Sequence, residues 1–293
     1  MRENVKKIMV ALKFPEETQK ELLLVLDKFL ETPEFSEIIE SYYTDGYVHW
    51  KLLDATKELA KSKGICEYGA QMVFLLCIVP KFYERWQQKG LSDRLFYDTI
   101  CSIKYHLDEC WLIHHKHGTF VADCYGEFFA MTIFQLGRLQ FQLGQTWFEA
   151  EVDGVHIPKG KKAVCIHIPR SGIRLDHDLV LDSYRQAKEF FKDEFEGEEM
   201  LFVCGSWLLY PWNRTVFKEG SNLAQFYDDF IIVGSDEREY NREVWRLFDC
   251  MYDGNPDHLP ADTSLRRSYV ERIRAGLPIG HGDGILKKEV FER

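Results

Sequence analysis

Ala163-Val164-Cys165-Ile166-His167-Ile168-Pro169 is the stretch whose reading decides the fold. A short apolar run stopped by proline reads as a central, two-sided buried strand. Downstream, Asp176 to Phe195 places Val180, Tyr184, Ala187 and Phe191 on one helical face, and Met200 to Cys204 is a second apolar strand closed by Gly205. Ser221 is placed to cap a helix over residues 222–229, and Phe230 to Val233 begins a further strand. Upstream, Arg138-Leu139-Gln140-Phe141-Gln142-Leu143 alternates polar with apolar, the period of a half-buried strand, with Thr146 to Val152 as its expected hairpin partner through Gly144. The order strand, strand, strand, helix, strand, helix, strand predicts an α/β or α+β domain with some parallel pairing.

Before residue 130 the period is helical. Pro15 to Glu31 repeats apolar residues at Leu22, Val25, Leu26, Phe29 and Leu30. Thr32-Pro33 opens another helix through Ile38 and Ile39, because proline fits a first turn. Thr44-Asp45-Gly46 is a turn signal, and Trp50 to Lys63 returns to helical spacing before Gly64. Gly69 to Lys89 and Ser92 to His115 read as two longer helices. The expected organisation is an all-helical N-terminal domain, residues 1–130, followed by a mixed-sheet domain with flanking helices, residues 131–293.

The chain has 293 residues, 45% of them hydrophobic and 14% aromatic, which excludes disordered and fibrous classes. Its formal charge is −10, and neither half is basic: the first 130 residues carry 16 basic and 20 acidic side chains. A nucleic-acid partner is therefore not expected. The longest apolar run, Met72 to Val79, is well short of the ~20 residues that span a bilayer, and Met1 to Lys13 lacks a signal-peptide core. Eight cysteines, no two within three residues of each other, sit mostly in apolar stretches, as buried thiols in a reducing compartment would. Together these predict a cytoplasmic protein without a membrane partner.

Leu136-Gly137-Arg138-Leu139-Gln140-Phe141, Ile166-His167-Ile168-Pro169, Gly205-Ser206-Trp207-Leu208-Leu209, Gly220-Ser221-Asn222 and residues 259–267 (Leu-Pro-Ala-Asp-Thr-Ser-Leu-Arg-Arg) occur in that order. As a set they resemble a bacterial family of acyltransferase domain-containing proteins. Its members join a helical N-acyltransferase N-terminal domain to a C-terminal domain similar to the GNAT fold. The resemblance extends into the helical half through Tyr43, Asp45, Gly46 and Trp50. It implies acyl transfer from acetyl-CoA or another acyl-CoA to a small amine or peptide, without a metal.

The resemblance also implies where the acyl-CoA would lie. In a GNAT fold the pyrophosphate sits where a central strand feeds a helix, whose free N–H groups bind the anion. By chain order this is the loop 169–175, with Arg170, Ser171, Gly172 and Arg174 as cofactor contacts. The usual loop, Gln/Arg-x-x-Gly-x-Gly/Ala, is not matched here, and Asp176 and Asp178 stand where they would cap the helix themselves. An ordinary capped helix, in a catalytically inactive ligand-binding or protein-interaction module, is thus the alternative.

His167, at the end of the central strand, is the candidate base, against a histidine bonded to backbone. Tyr227 is the candidate acid for the leaving thiolate, against packing beside Phe226 and Phe230. A bulge at Gly205 would splay the sheet and bring Ser206 and Trp207 to the thioester arm, against a Trp207 in the core. Asn222 is a candidate substrate contact, against a helix-capping role with Ser221.

Three further patterns bear on chemistry. Arg266, Arg267, Arg272 and Arg274 form a basic stretch on an expected helix capped by Thr263, either a solvated face or a phosphate contact. Gly280, Gly282 and Gly284 leave one face of an extended segment bare to backbone or a flat ligand, with His281 and Asp283 together on the other; a terminal loop is the alternative. His106, Cys110 and His114 fall on one helix face, which a core thiol with surface histidines explains better than zinc.

Overall fold

A computed structural model describes residues 1–238 and 244–292. The chain divides into two compact units. The first comprises residues 1–135 together with the short segment 169–172, the second residues 136–168 and 173–293.

The first unit is helical, as the apolar spacing predicts: α1 Arg2–Ala11, α2 Glu16–Leu30, α3 Pro33–Asp45, α4 Trp50–Ser62, α5 Glu67–Gln88, α6 Asp93–Ile100, α7 Ser102–His114 and α8 Tyr125–Phe129. Every residue from Gly69 to Val79 is buried, so α5 is the axis on which α1, α2, α3 and α4 pack. Gly46 ends α3 in the left-handed region at φ +66°, the geometry its turn signal required. The helix expected over Ser92 to His115 is divided at Cys101 into α6 and α7. Ser92 caps α6 through a bond from the Leu95 N–H.

The second unit contains β2 Leu139–Gln145, β3 Ala150–Val152, β4 Val155–Ile157, β5 Lys162–His167, α9 His177–Phe190, β6 Phe202–Ser206, α10 Asn213–Val216, α11 Asn222–Asp228, β7 Phe230–Arg238, α12 Val244–Phe248, α13 Ser264–Arg274 and β8 Ile279–Leu286. Strand β1, Ile133–Leu136, ends at its start. The strands lie in the order β2-β5-β6-β8-β7, mixed in direction: β5 and β6 run parallel through the α9 crossover, whereas β2/β5, β6/β8 and β7/β8 are antiparallel. This is the mixed, helix-flanked sheet expected from the element order.

Three local expectations are corrected. The 138–143 strand pairs with β5, not with 146–152; β3 instead forms a separate hairpin with β4. The sheet irregularity lies in β7 between Ile232 and Gly234, while Gly205 stays in register with Asp283. The glycine-rich segment is a full strand, β8, between two neighbours. Its bare face is covered by the chain itself: a methyl at Gly280 would meet the Tyr210 ring, and one at Gly282 the Leu209 backbone.

Register sorts the side chains onto two faces. Gln140, Gln142, Ala163, Cys165, His167, Val203, Gly205, His281, Asp283 and Ile285 share one. At one end of this face Ile157, Ala163, Cys165, Val203 and Ile285 form a core cluster with Phe148 and Val152 of the hairpin region. The opposite face buries Phe141 against Tyr184 of α9 and Phe202. The Tyr184 hydroxyl is fully buried without a hydrogen-bond partner among the described residues. Because an unpaired buried hydroxyl is a desolvation cost, Tyr184→Phe should leave stability unchanged or raise it by up to about 1 kcal/mol, read as the urea midpoint.

Candidate active site

The parallel pair β5/β6 is the focus. Its ladder registers only Val164 with Phe202 and Cys165 with Val203, although β5 continues to His167 and β6 to Ser206. The registered ladder ends with those pairs, and a seam separates the two strand ends beyond them. The parting follows without a bulge in either strand. His167 stands on one lip of this seam and Gly205 on the other.

The imidazole of His167 is 3.0 Å from Gln142 Oε1 on β2. The side chain has an edge open to water, while protein crowds it elsewhere, and this desolvation lowers its pKa to about 4. The ring is therefore neutral at physiological pH and able to accept a proton. Two residues earlier, the Cys165 thiol is buried and pushed up to about 11 by desolvation, so it holds its proton.

From His167 the chain enters the loop 169–175 and then α9. Gly172 has φ +75° and open space around its Cα, a position that lets a ligand approach backbone closely. The side chain of Asp176 accepts from the Asp178 N–H and caps α9, as its position suggested. The loop is held from β2: buried Arg138 donates from Nε to the carbonyls of Ile173 (3.0 Å) and Arg174 (3.1 Å). The Arg138 N–H in turn donates to Ser183 Oγ on α9 at 2.7 Å. Arg138 thus ties strand, loop and helix together. Across the seam, Trp147 lies over Gly205 and its Nε1 donates to Asp283 Oδ1 at 2.8 Å.

A mixed sheet whose central parallel strands part at the end that feeds a loop and a helix N-terminus agrees with sequence-family comparison. Residues 133–286, more than half of the chain, match the family described as GNAT-like C-terminal domain. Residues 3–126 match the N-acyltransferase N-terminal domain. The chain belongs to this family. A search of characterised proteins by sequence finds no significant match.

Solved structures share the fold of this N-acyltransferase-type chain. It is similar to an acyltransferase mutant in complex with octanoyl-CoA (TM-score 0.77, 18% identity, 97% of this chain and 88% of that one). It is similar also to an acyltransferase in complex with decanoyl-CoA and teicoplanin (TM-score 0.74, 18% identity, the same coverage). A third, in complex with CoA and 10C-teicoplanin, aligns at TM-score 0.66 and 19% identity over 97% of this chain and 99% of that one.

Within this GNAT-like domain the candidate residues fall into groups. His167, Gly172 and Arg174 follow one another along the β5 terminus and its loop. Arg170, Ser171 and Gly172 belong to the segment that groups with the first unit. Ser206 is buried and its Oγ accepts from the Leu208 N–H, starting the turn 207–209. Trp207 packs edge-on to Tyr269 beside the cluster of Val244, Phe248, Tyr269 and Ile279. Tyr227 is half-buried on α11, where burial and Asp228 raise its pKa against the opposing pull of Arg214, so the phenol keeps its proton. Asn222 opens α11, with Ser221 as the cap accepting from the Ala224 N–H.

The arginines of α13 are spoken for. Arg266 bonds Asp249 and Asp262, Arg272 bonds the Pro278 carbonyl and the Tyr210 hydroxyl, and Arg274 bonds Asp257. Among the described residues no group of three or more His, Cys, Asp or Glu side chains is placed to hold a metal ion. Cys110 is buried and pushed up to about 12 by desolvation, as a core thiol would be. No described helix is long and apolar enough to cross a membrane.

Proposed function

We propose that the protein is an acyl-CoA-dependent N-acyltransferase, and the observation that carries this is the short β5/β6 ladder, which ends before His167. The seam beyond that ladder is where a pantetheine arm would lie. Arg170, Arg174 and the backbone at Gly172 would supply the phosphate contacts, and Arg138 holds the carbonyls of Ile173 and Arg174. The acyl-CoA complexes of the similar structures, octanoyl and decanoyl, suggest a medium-chain donor.

The transfer we infer is direct. The acceptor nitrogen attacks the thioester carbonyl, the C–S bond breaks, the nitrogen proton passes to neutral His167, and Tyr227 protonates the departing thiolate to give amide and free CoA thiol. A covalent acyl-enzyme is disfavoured because the thiol nearest the base, Cys165, is held protonated by burial. That one similar structure contains the glycopeptide teicoplanin supports an amine or peptide acceptor here. Compartment follows the sequence reading, cytoplasmic, with domains at 1–130 and 131–293.

The Asp176 cap favours a second reading, a GNAT-like module that binds ligand or protein without catalysis, because a carboxylate at this helix start opposes a pyrophosphate. Calorimetric titration with octanoyl-CoA decides between them. Micromolar binding, weakened about tenfold or more in Arg170→Ala/Arg174→Ala, is the result expected of the enzyme. Absence of binding across acetyl-, octanoyl- and decanoyl-CoA would leave the module.

A further inference from the structure

The face of the sheet that carries His167 also carries, across the seam, a group the transfer step does not use. Trp147 is 41% exposed and is held in place by its bond to Asp283 Oδ1. It rests on Gly205, where a methyl would lie 2.8 Å from the Trp147 ring and 3.2 Å from both Asp283 Oδ1 and His281 Cε1. Those three side chains therefore converge above a residue with no side chain of its own. Asp283 Oδ2 lies over Gly234 of β7, a second residue without a side chain, and the carboxylate is only partly covered. Asp236 faces His281 in the same register.

We propose that Asp283 and the ring of Trp147 bind the ammonium group of the acyl acceptor, which makes that acceptor an alkylamine, cationic at neutral pH, and not an arylamine. The inference rests on the acyltransferase reading for the word acceptor, but the cation site stands on its own geometry. A carboxylate and an indole in direct contact, here Asp283 at the N–H edge of Trp147, are the two groups that hold a cation best, one by charge and one by its ring quadrupole. The indole N–H occupies one carboxylate oxygen and fixes its direction, so the other oxygen is presented to the ligand. The register places this pair on the far lip of the seam from His167, on the same face; the bound ammonium gives its first proton to water to free the lone pair, and the amine then attacks and gives its second to His167. The overall charge of −10 favours the approach of a cation.

The test reads the cation directly. In the full chain, the Trp147 indole N–H resonance, assigned through Trp147→Phe, is followed while choline is added, and then its neutral carbon isostere dimethylbutanol. The expected result is a saturable shift with choline, none with the isostere, and at least about tenfold weaker choline binding in Asp283→Asn. Asp283→Glu, which keeps the charge, should retain the response and shows that the Asn result is not unfolding. No saturable choline shift, an equal shift with the isostere, or unchanged affinity in Asp283→Asn would overturn the site. Octanoyl-CoA calorimetry on the same wild-type sample reports separately on the acyltransferase reading: its failure with the choline response intact removes the reaction and leaves the cation site.

Discussion

His167→Ala is expected to lower kcat for an alkylamine and octanoyl-CoA by about 10²–10⁴-fold, the usual worth of a positioned general base, with octanoyl-CoA affinity within about twofold of wild type. The separation of the two readouts follows from position. His167 ends β5 on the lip of the seam, whereas the proposed phosphate contacts lie in the loop after it. Gln142, 3.0 Å from the ring, orients the imidazole, so His167→Gln should not restore the rate even though it keeps hydrogen-bonding capacity. Desolvation holds the folded-state pKa at about 4, below the ordinary 6.5. At saturating acceptor the acid limb of kcat should therefore fall near pH 4 to 5, not near 6.5. Stability follows the same sign. Between pH 6.5 and about 4 the unfolded chain binds the His167 proton and the folded chain does not, so stability falls as pH drops through this window and the penalty is complete below it. In His167→Gln that part of the pH dependence should vanish. A wild-type acid limb unchanged in His167→Gln would remove His167 from the reaction.

What the sequence made legible and what it did not can be traced to particular residues. The β5 run from Ala163 to Ile168 and the α9 face of Val180, Tyr184 and Ala187 are strong periodic signals, and the fold class follows from their order. The break between α6 and α7 at Cys101 carries neither Pro nor Gly, so local pattern could not show it. Gly205 drew attention as a bulge, yet its role is to give room to Trp147, and the irregular residue pair sits two strands away in β7. The bare face of Gly280, Gly282 and Gly284 did signal close approach by backbone, but only the structure names the Leu209–Tyr210 segment that fills it. Arg138 and Trp147 escaped notice as site residues for one reason. Their partners, the Ile173 carbonyl and Asp283, are far along the chain, and a hydrogen bond across 35 or 136 residues leaves no local periodicity.

Gly282→Ala is the second large effect, and it falls on stability. Gly282 lies in the middle of β8, paired with Ser206 of β6 on one side and Ser235 of β7 on the other, so its own backbone cannot shift without breaking two ladders. A methyl there would stand 2.0 Å from the Leu209 carbonyl oxygen, 2.3 Å from its carbon and 2.9 Å from the Tyr210 nitrogen. The obstacle is backbone, and it is tethered. Leu208 N–H donates to Ser206 Oγ, Asn213 Nδ2 donates to the Trp207 carbonyl, and the buried Tyr269 hydroxyl donates to Asn213 Oδ1 at 2.6 Å. Retreat of Leu209 would disrupt this buried chain of bonds, so the expected cost is about 3 kcal/mol or more, against 1–3 for ordinary overpacking. In a domain of this size that is a fall of roughly 6–12 °C in Tm. Gly280→Ala supplies the comparison. Its methyl would meet the Tyr210 ring at 2.0 Å, but a ring can rotate aside at the cost of its bonds to Glu237 and Arg272, both at the rim. The loss at Gly280 should therefore be the smaller of the two. Equal melting temperatures for the two variants, or a Gly282→Ala protein as stable as wild type, would mean that Leu209 does not seal that face of β8, and the cover over the seam's supporting strands would have to be drawn anew.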